Sequence, residues 1–173
     1  MENDDVIITS AFRTAIGSFN GSLSSKTAPE LGSTVIKKCI ENSELEKEEV
    51  DMVYMGQVLS AGVGQNPARQ ASIYAGLPNT TTNTTINQVC GSGLASVALA
   101  YNSIRCGDGN MIIAGGQESM SNAPHYIKLR KGEKVNEEIY NIALKNLRKF
   151  DCIINFDNYF LEVNNWLKKF NII

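Results

Sequence analysis

Asn87-Gln88-Val89-Cys90-Gly91-Ser92-Gly93-Leu94 joins two segments of opposite character. Before it, Thr81 to Asn87 is Thr-rich and extended in propensity, which predicts a strand. After it, Gly91 to Cys106 is rich in Ala, Leu, Val and Ile and closes on Gly107 and an Asp108-Gly109 turn, which predicts a helix. The chain passes from strand to helix across a turn flanked by glycines. Working outward, Val6 to Ser10, Met52 to Gly56 and Met111 to Ala114 are further short apolar runs of strand type. A helical stretch opens at Pro29-Glu30, with Leu31, Val35, Ile36, Cys39 and Ile40 at helical spacing. Another starts at Asn66-Pro67, with Asn as cap and Pro at the first helical position, and runs toward Ala75. The order βαβαβαβ predicts an α/β layered sheet-helix domain with at least partly parallel strands.

The helix after Cys90 stands apart, because its apolar residues from Leu94 to Ile104 cover most of its circumference. Such a helix should be buried on all sides, so a second layer is expected over it. The 173 residues, with 43% hydrophobic and 20% charged, suit an ordinary soluble domain, and disorder and collagen are excluded. A formal charge of -2 provides no basic field for nucleic acid and no polybasic membrane patch, which favours a small-molecule partner. Cysteines at 39, 90, 106 and 152 form no C-x-x-C pair and have a single His to join them, so neither metal nor a disulfide framework is expected. The acidic start Glu2-Asn3-Asp4-Asp5 and the lack of an apolar run approaching about 18 residues point to a cytoplasmic protein. All 14 Gly and all 4 Pro lie at or before Gly132, which sets a boundary between residues 1–132 and 133–173.

A cysteine on the turn into a helix faces unpaired N–H groups and the positive end of the helix dipole, which favour thiolate. Gly91 and Gly93 leave room for a bulky acyl carbonyl, and the N–H groups could hold an oxyanion. Cys90 therefore reads as an acyl-accepting nucleophile. The competing reading is a small residue packed under a turn, with glycines serving only the backbone. A G-x-S-x-G nucleophile elbow fails, because Cys90 stands where its first Gly belongs. A dinucleotide-binding G-x-G-x-x-G places Gly91 and Gly93 correctly and offers Glu118 as the ribose acid, but Ser96 occupies the third glycine position.

Taken together, several segments resemble thiolase, the acetyl-CoA acetyltransferase family. They are Arg13-Thr14 with Gly17 and Phe19, Met55 to Leu59, Gly64 to Gln70, Asn87 to Leu94, and Ala114 to His125, in family order between residue 6 and about 132. Ala15 departs from the usual Pro. The resemblance implies the N-terminal half of a thiolase fold, with the apolar helix in a central layer between two sheets. It implies that Cys90 takes the acyl group from an acyl-CoA as a thioester, its N–H contributing to the oxyanion hole, in Claisen condensation or thiolysis. Acyl-CoA is the implied partner, CoA thioesters are substrates and no cofactor is implied. Homo-oligomerisation and a place in fatty acid metabolism follow for the full-length family.

The family's second half would bring a G-H-P histidine and a C-x-G-G-G cysteine, and neither motif occurs here. His125 belongs to a segment that in the family opens a loop for CoA and subunit contacts. Cys106 and Cys152 match no catalytic motif. After Gly132 no resemblance is visible, and the Asn- and aromatic-rich tail reads as a frame-shifted translation or, alternatively, a short genuine domain. The expectation is a truncated thiolase, inactive alone, with a complementary half possible as a separate chain. Two alternatives stand beside it: a nonenzymatic acyl-CoA or subunit-binding remnant, and a small nucleotide-binding domain.

Overall fold

A computed structural model of the chain describes residues 5–43 and 46–124. Helix α1 (Ala28–Ser43) begins with a reciprocal cap. Thr27 N–H and hydroxyl both donate to Glu30 Oε2 at 2.8 Å, and Glu30 N–H donates back to Thr27 Oγ1 at 3.4 Å. Two donors that the helix start leaves open are thereby satisfied. Strand β1 (Met52–Gly56) follows a single 3₁₀ turn at Lys47–Glu49. Helix α2 (Pro67–Tyr74) starts as its residues predict, with Asn66 accepting from Arg69 N–H and Pro67 in the first helical position. Strand β2 (Thr82–Ile86), helix α3 (Ser92–Cys106) and strand β3 (Ile112–Gly116) complete the domain. Gly107 at φ +79° closes α3, a left-handed position that costs glycine little.

The three strands form a parallel sheet in the order β2-β1-β3, with Met52 opposite both Thr82 and Ile112. Alternation along β1 distributes the two faces. Val53 and Met55 enter a core with Ile36 of α1, Ala68 and Ala71 of α2, and Leu77. Tyr54 points the other way, its hydroxyl 3.0 Å from Ser103 Oγ on α3. The architecture is therefore α1 and α2 on one face, sheet in the middle, α3 on the other, the α/β layering that the sequence predicts. Among the described residues no helix is long and apolar enough to cross a membrane.

One expected element differs. Val6 to Ser10 forms no strand; Ile7 and Ile8 are largely exposed. Its β-branched composition gives extended propensity, but a strand also needs a partner for its backbone. An apolar cavity of about 280 Å³, walled also by Ile40, Ile104 and Met111, lies between this segment and β3. The described order is thus αβαβαβ. The boundary expected at Gly132 lies outside the described residues.

Helix α3 sits on the sheet by backbone contact. A Cβ built on Gly56 would lie 2.5 Å from the Ser92 carbonyl carbon and 2.7 Å from Gly93 N. One built on Gly116 would lie 3.4 Å from Gly93 Cα. Ser96, fully buried, donates from its hydroxyl to Gly93 O at 2.6 Å or Gly115 O at 2.7 Å, tying the next turn to β3.

Gly56→Ala is expected to destabilise the domain by about 1–3 kcal/mol, the range for overpacking against atoms that cannot rotate away. Gly93→Ala, whose Cβ meets nothing closer than 3.9 Å, should leave stability equal or higher, because Ala is the better helix former. Urea midpoints of the two variants check this. The Glu30 carboxylate is held below the ordinary glutamate range, first by the Thr27 N–H, then by the Thr27 hydroxyl and by Lys26 at 3.8 Å. A lowered folded-state value stabilises above the unfolded value, about 4.3, and that contribution disappears as pH falls through the folded one. The stability difference between the parent chain and Glu30→Gln should accordingly be full at pH 6 and shrink below about pH 4.3 in acid denaturation series.

Candidate active site

The C-terminal ends of three parallel strands bring together segments that are far apart in sequence: Gln57 to Leu59 after β1, Asn87 to Gly91 after β2, and Gln117 to Glu118 after β3. Cys90 lies exposed on the loop after the edge strand β2, immediately before Gly91, the N-cap of α3. The loop is tightly wound. Gly91 N–H donates to Gln88 O at 3.1 Å, and Ser92 N–H to Val89 O at 3.1 Å. Ser92 Oγ, nearly buried, accepts from Gln88 N–H at 2.8 Å and donates to Val89 O at 2.6 Å. Val89 N–H donates to Asn87 Oδ1 at 3.1 Å.

Within this loop Val89 has φ +52°. A β-branched residue rarely takes that left-handed conformation, so the surrounding bonds must hold it there, and backbone strain of this kind collects at functional sites. Two consequences follow for Cys90. Its side chain is carried out to solvent, and its N–H, unlike those of Gly91 and Ser92, has no acceptor among the described residues. Gly91 and Ser92 N–H groups are committed to loop carbonyls, so at this helix start the N–H groups with no acceptor among the described residues are those of Cys90, Gly93 and Leu94.

Neighbouring loops carry their own constraints. Gln117 Nε2 donates to Gln57 Oε1 at 2.9 Å and to Pro67 O at 3.2 Å, a buried amide pair sealing the end of the sheet. Gly32 of α1 lies against Gln117 Oε1, where any Cβ would overlap that oxygen. Glu118 accepts from Val58 N–H at 2.8 Å and Leu59 N–H at 3.3 Å. Asn87 Nδ2 donates to Val58 O at 3.3 Å.

These contacts sort the residues singled out in the sequence. Glu118 is bound to backbone N–H groups of its own chain instead of facing a ribose, and Ser96 is fixed between Gly93 and β3, so the dinucleotide fingerprint loses its third glycine and its acid together. The Gly64 to Gln70 segment is structural: Gln70 Nε2 donates to Val63 O and Gln65 O, and Arg69 Nη1 donates to Asn79 O and Thr81 O. Cys39 is half-buried in α1, and Cys106 is exposed at the far end of α3 from Cys90. His125 and Cys152 lie outside the described residues. Gly56, Gly116, Asn87 and Ser92 shape the Cys90 loop, yet nothing in the local sequence marks them for that task; only their membership of the quoted motif segments hinted at it. Among the described residues no cluster of three His, Cys, Asp or Glu is placed to hold a metal ion.

Helix α3 presents Ser92, Ser96 and Ala100 to the sheet and its large apolar residues outward. Leu94 is 77% exposed and Tyr101 52%, an inversion that leaves an apolar face open among the described residues.

Comparison with known proteins shows what the chain is similar to. The chain is 51% identical over 143 residues to the acetyl-CoA acetyltransferase of Escherichia coli strain K12, covering 81% of this chain and 36% of that protein. It is 58% identical over 123 residues to the acetyl-CoA acetyltransferase of Cupriavidus necator, covering 71% of this chain and 31% of that protein. The crystal structure of a thiolase from Ascaris suum in complex with coenzyme A superposes with a TM-score of 0.68 at 41% identity, covering 70% of this chain and 31% of that one. The chain spans about a third of the length of the curated relatives it matches. A family model described as the thiolase N-terminal domain matches residues 6–165, running past Gly132. The parallel sheet, the helix seated on it and this match together place the chain in the thiolase family, as a chain of its N-terminal domain.

Proposed function

We propose that Cys90 is the nucleophile of an acyl transfer, taking the acyl group of an acyl-CoA as a thioester in the manner of an acetyl-CoA acetyltransferase. The observation that carries this reading is the pairing of an exposed Cys90 side chain with an N–H on the same residue that has no acceptor among the described residues, both presented by a strained turn. The names of the relatives, and the coenzyme A in the Ascaris suum structure, support the substrate class.

In the step itself, the Cys90 thiolate attacks the thioester carbonyl carbon, and the carbonyl π pair moves to oxygen. That oxygen accepts a hydrogen bond from the Cys90 N–H, a donor already in place before charge develops. Collapse restores the carbonyl and breaks the bond to the CoA sulfur, which leaves as thiolate; exposed Cys90 gives its proton to solvent before attack and the CoA thiolate takes one from solvent afterwards. Gly91 and Gly93 present no side chain beside the sulfur. The acyl group requires no cofactor chemistry, since the CoA thioester is already activated.

Condensation demands more. A base must activate the sulfur and another must remove an α-proton, and each such group typically contributes about 10²–10⁴-fold. The 173 residues contain one His, His125, and neither the G-H-P nor the C-x-G-G-G motif. Cys90 also faces water, which weakens every electrostatic contact to the transition state. A further layer over the apolar face of α3 would both exclude that water and cover Leu94 and Tyr101. We assign that layer to a partner segment of the same family fold, and self-association of the chain to the exposed Leu94, Val97, Leu99 and Tyr101.

Incubation with an acyl-CoA followed by peptide mapping should find the acyl group on Cys90 and none on the Cys90→Ala chain. Acyl groups carried by Cys39 or Cys106 instead would overturn the assignment. Steady-state thiolysis by the chain alone should not exceed the Cys90→Ala background, about 10⁴-fold or more below a complete acid/base set. Light scattering with an apolar dye should detect association or an exposed apolar face; a dye-silent monomer would remove the argument for a covering layer.

A further inference from the structure

Glu118 does something that its sequence position does not suggest. Its carboxylate, half-buried, reaches across from the end of β3 to the loop after β1 and takes two backbone N–H groups there, from Val58 at 2.8 Å and Leu59 at 3.3 Å. The ion pairs among the described residues all lie elsewhere, so the charge of Glu118 is met by backbone dipoles. Charge-assisted bonds of this type are stronger than neutral ones and set the position of the loop that receives them. That loop in turn offers the Val58 carbonyl to Asn87 Nδ2 at 3.3 Å, and the other end of the same Asn87 amide accepts from Val89 N–H at 3.1 Å. Val89 is the residue at φ +52° immediately before Cys90. A continuous path of hydrogen bonds therefore runs from Glu118, through the 58–59 backbone and the Asn87 amide, to the strained residue that aims the cysteine.

We infer that Glu118 and Asn87 are positioning residues that hold the Cys90 N–H and sulfur in register for acyl transfer, Glu118 acting through Val58 and Asn87. This rests on the reading of Cys90 as nucleophile. The physical reason is that Asn87 supplies the acceptor for the Val89 N–H, so Val89 would be freer to relax toward an ordinary φ without it, and the far end of the Asn87 amide is held by the Val58 carbonyl. Relaxation would rotate the peptide that carries the Cys90 N–H. Oxyanion stabilisation depends steeply on that donor's placement, with about 10²–10³-fold at stake for a single donor. Simple displacement at the sulfur develops no oxyanion and needs no such donor.

Two reactions on the same thiol separate the positioning role from general damage. Acyl transfer from a thioester requires the oxyanion donor, whereas alkylation by chloroacetamide does not; both are followed site by site by peptide mapping, with Cys39 and Cys106 as internal references. Glu118→Ala and Asn87→Ala are each expected to slow acylation of Cys90 at least tenfold while changing its alkylation less than threefold. Glu118→Gln, which keeps an acceptor oxygen for Val58 N–H, should recover a large part of the loss. Equal acylation with and without Glu118 and Asn87 would overturn the proposal, as would parallel loss in both reactions. If Glu118→Ala also accelerates alkylation of half-buried Cys39, its fold has loosened, and Asn87→Ala, an exposed site, decides alone. A parent chain that alkylates at Cys90 yet takes no acyl group there would defeat the nucleophile reading itself, an outcome distinct from failure of the brace.

Discussion

Helix α3 can point its first turn at the ends of β1 and β3 because both strands end in glycine. Gly56 and Gly116 let strand main chain approach helix main chain, and any side chain on Gly56 would occupy space already held by the Ser92–Gly93 peptide. Close approach also brings Ser96 within reach of the Gly115 carbonyl, so the helix gains a polar anchor at its second turn that a larger separation would forbid. The direction of the Cys90 side chain, the strain at Val89 and the spacing of the three loops all depend on this contact. A helix packed at ordinary side-chain distance would carry the cysteine away from the loops that brace it.

Polar groups at this end of the sheet are organised so that few remain free. Gln57 and Gln117 bond each other across the strand ends, Glu118 takes the 58–59 backbone, and Ser92 ties the turn to itself. Burying such groups unpaired would cost several kcal/mol, so each pairing also fixes a geometry. Against this background the loop gives the N–H groups of Gly91 and Ser92 their acceptors and leaves that of Cys90 with none among the described residues.

The faces of α3 show a second consequence of the glycine contact. Only small residues, Ser92, Ser96 and Ala100, fit toward the sheet, and the bulky apolar residues are therefore turned outward. In an ordinary α/β domain the large residues would face the sheet. The inversion fits a helix that belongs between two layers, consistent with a chain spanning about a third of the length of its relatives.

Local chemistry alone was sufficient for much of this. Asn66-Pro67 announces the start of α2 and Gly107 the end of α3, because caps and turns act over a few residues. The cysteine on the strand-to-helix turn was legible for the same reason. Tertiary structure decided the rest. Val6 to Ser10 has strand composition but takes no strand pairing, since pairing depends on what lies beside it. Glu118, readable as a ribose acid from spacing, became a brace because folding brings Val58 and Leu59, about 60 residues earlier, under its carboxylate. Gly56 and Gly116 look like ordinary strand-end glycines until α3 descends on them. Sequence by itself determined most of the elements and the turn that carries Cys90; only the tertiary fold decided what holds that turn in place, because those contacts join backbone atoms whose proximity no local pattern encodes.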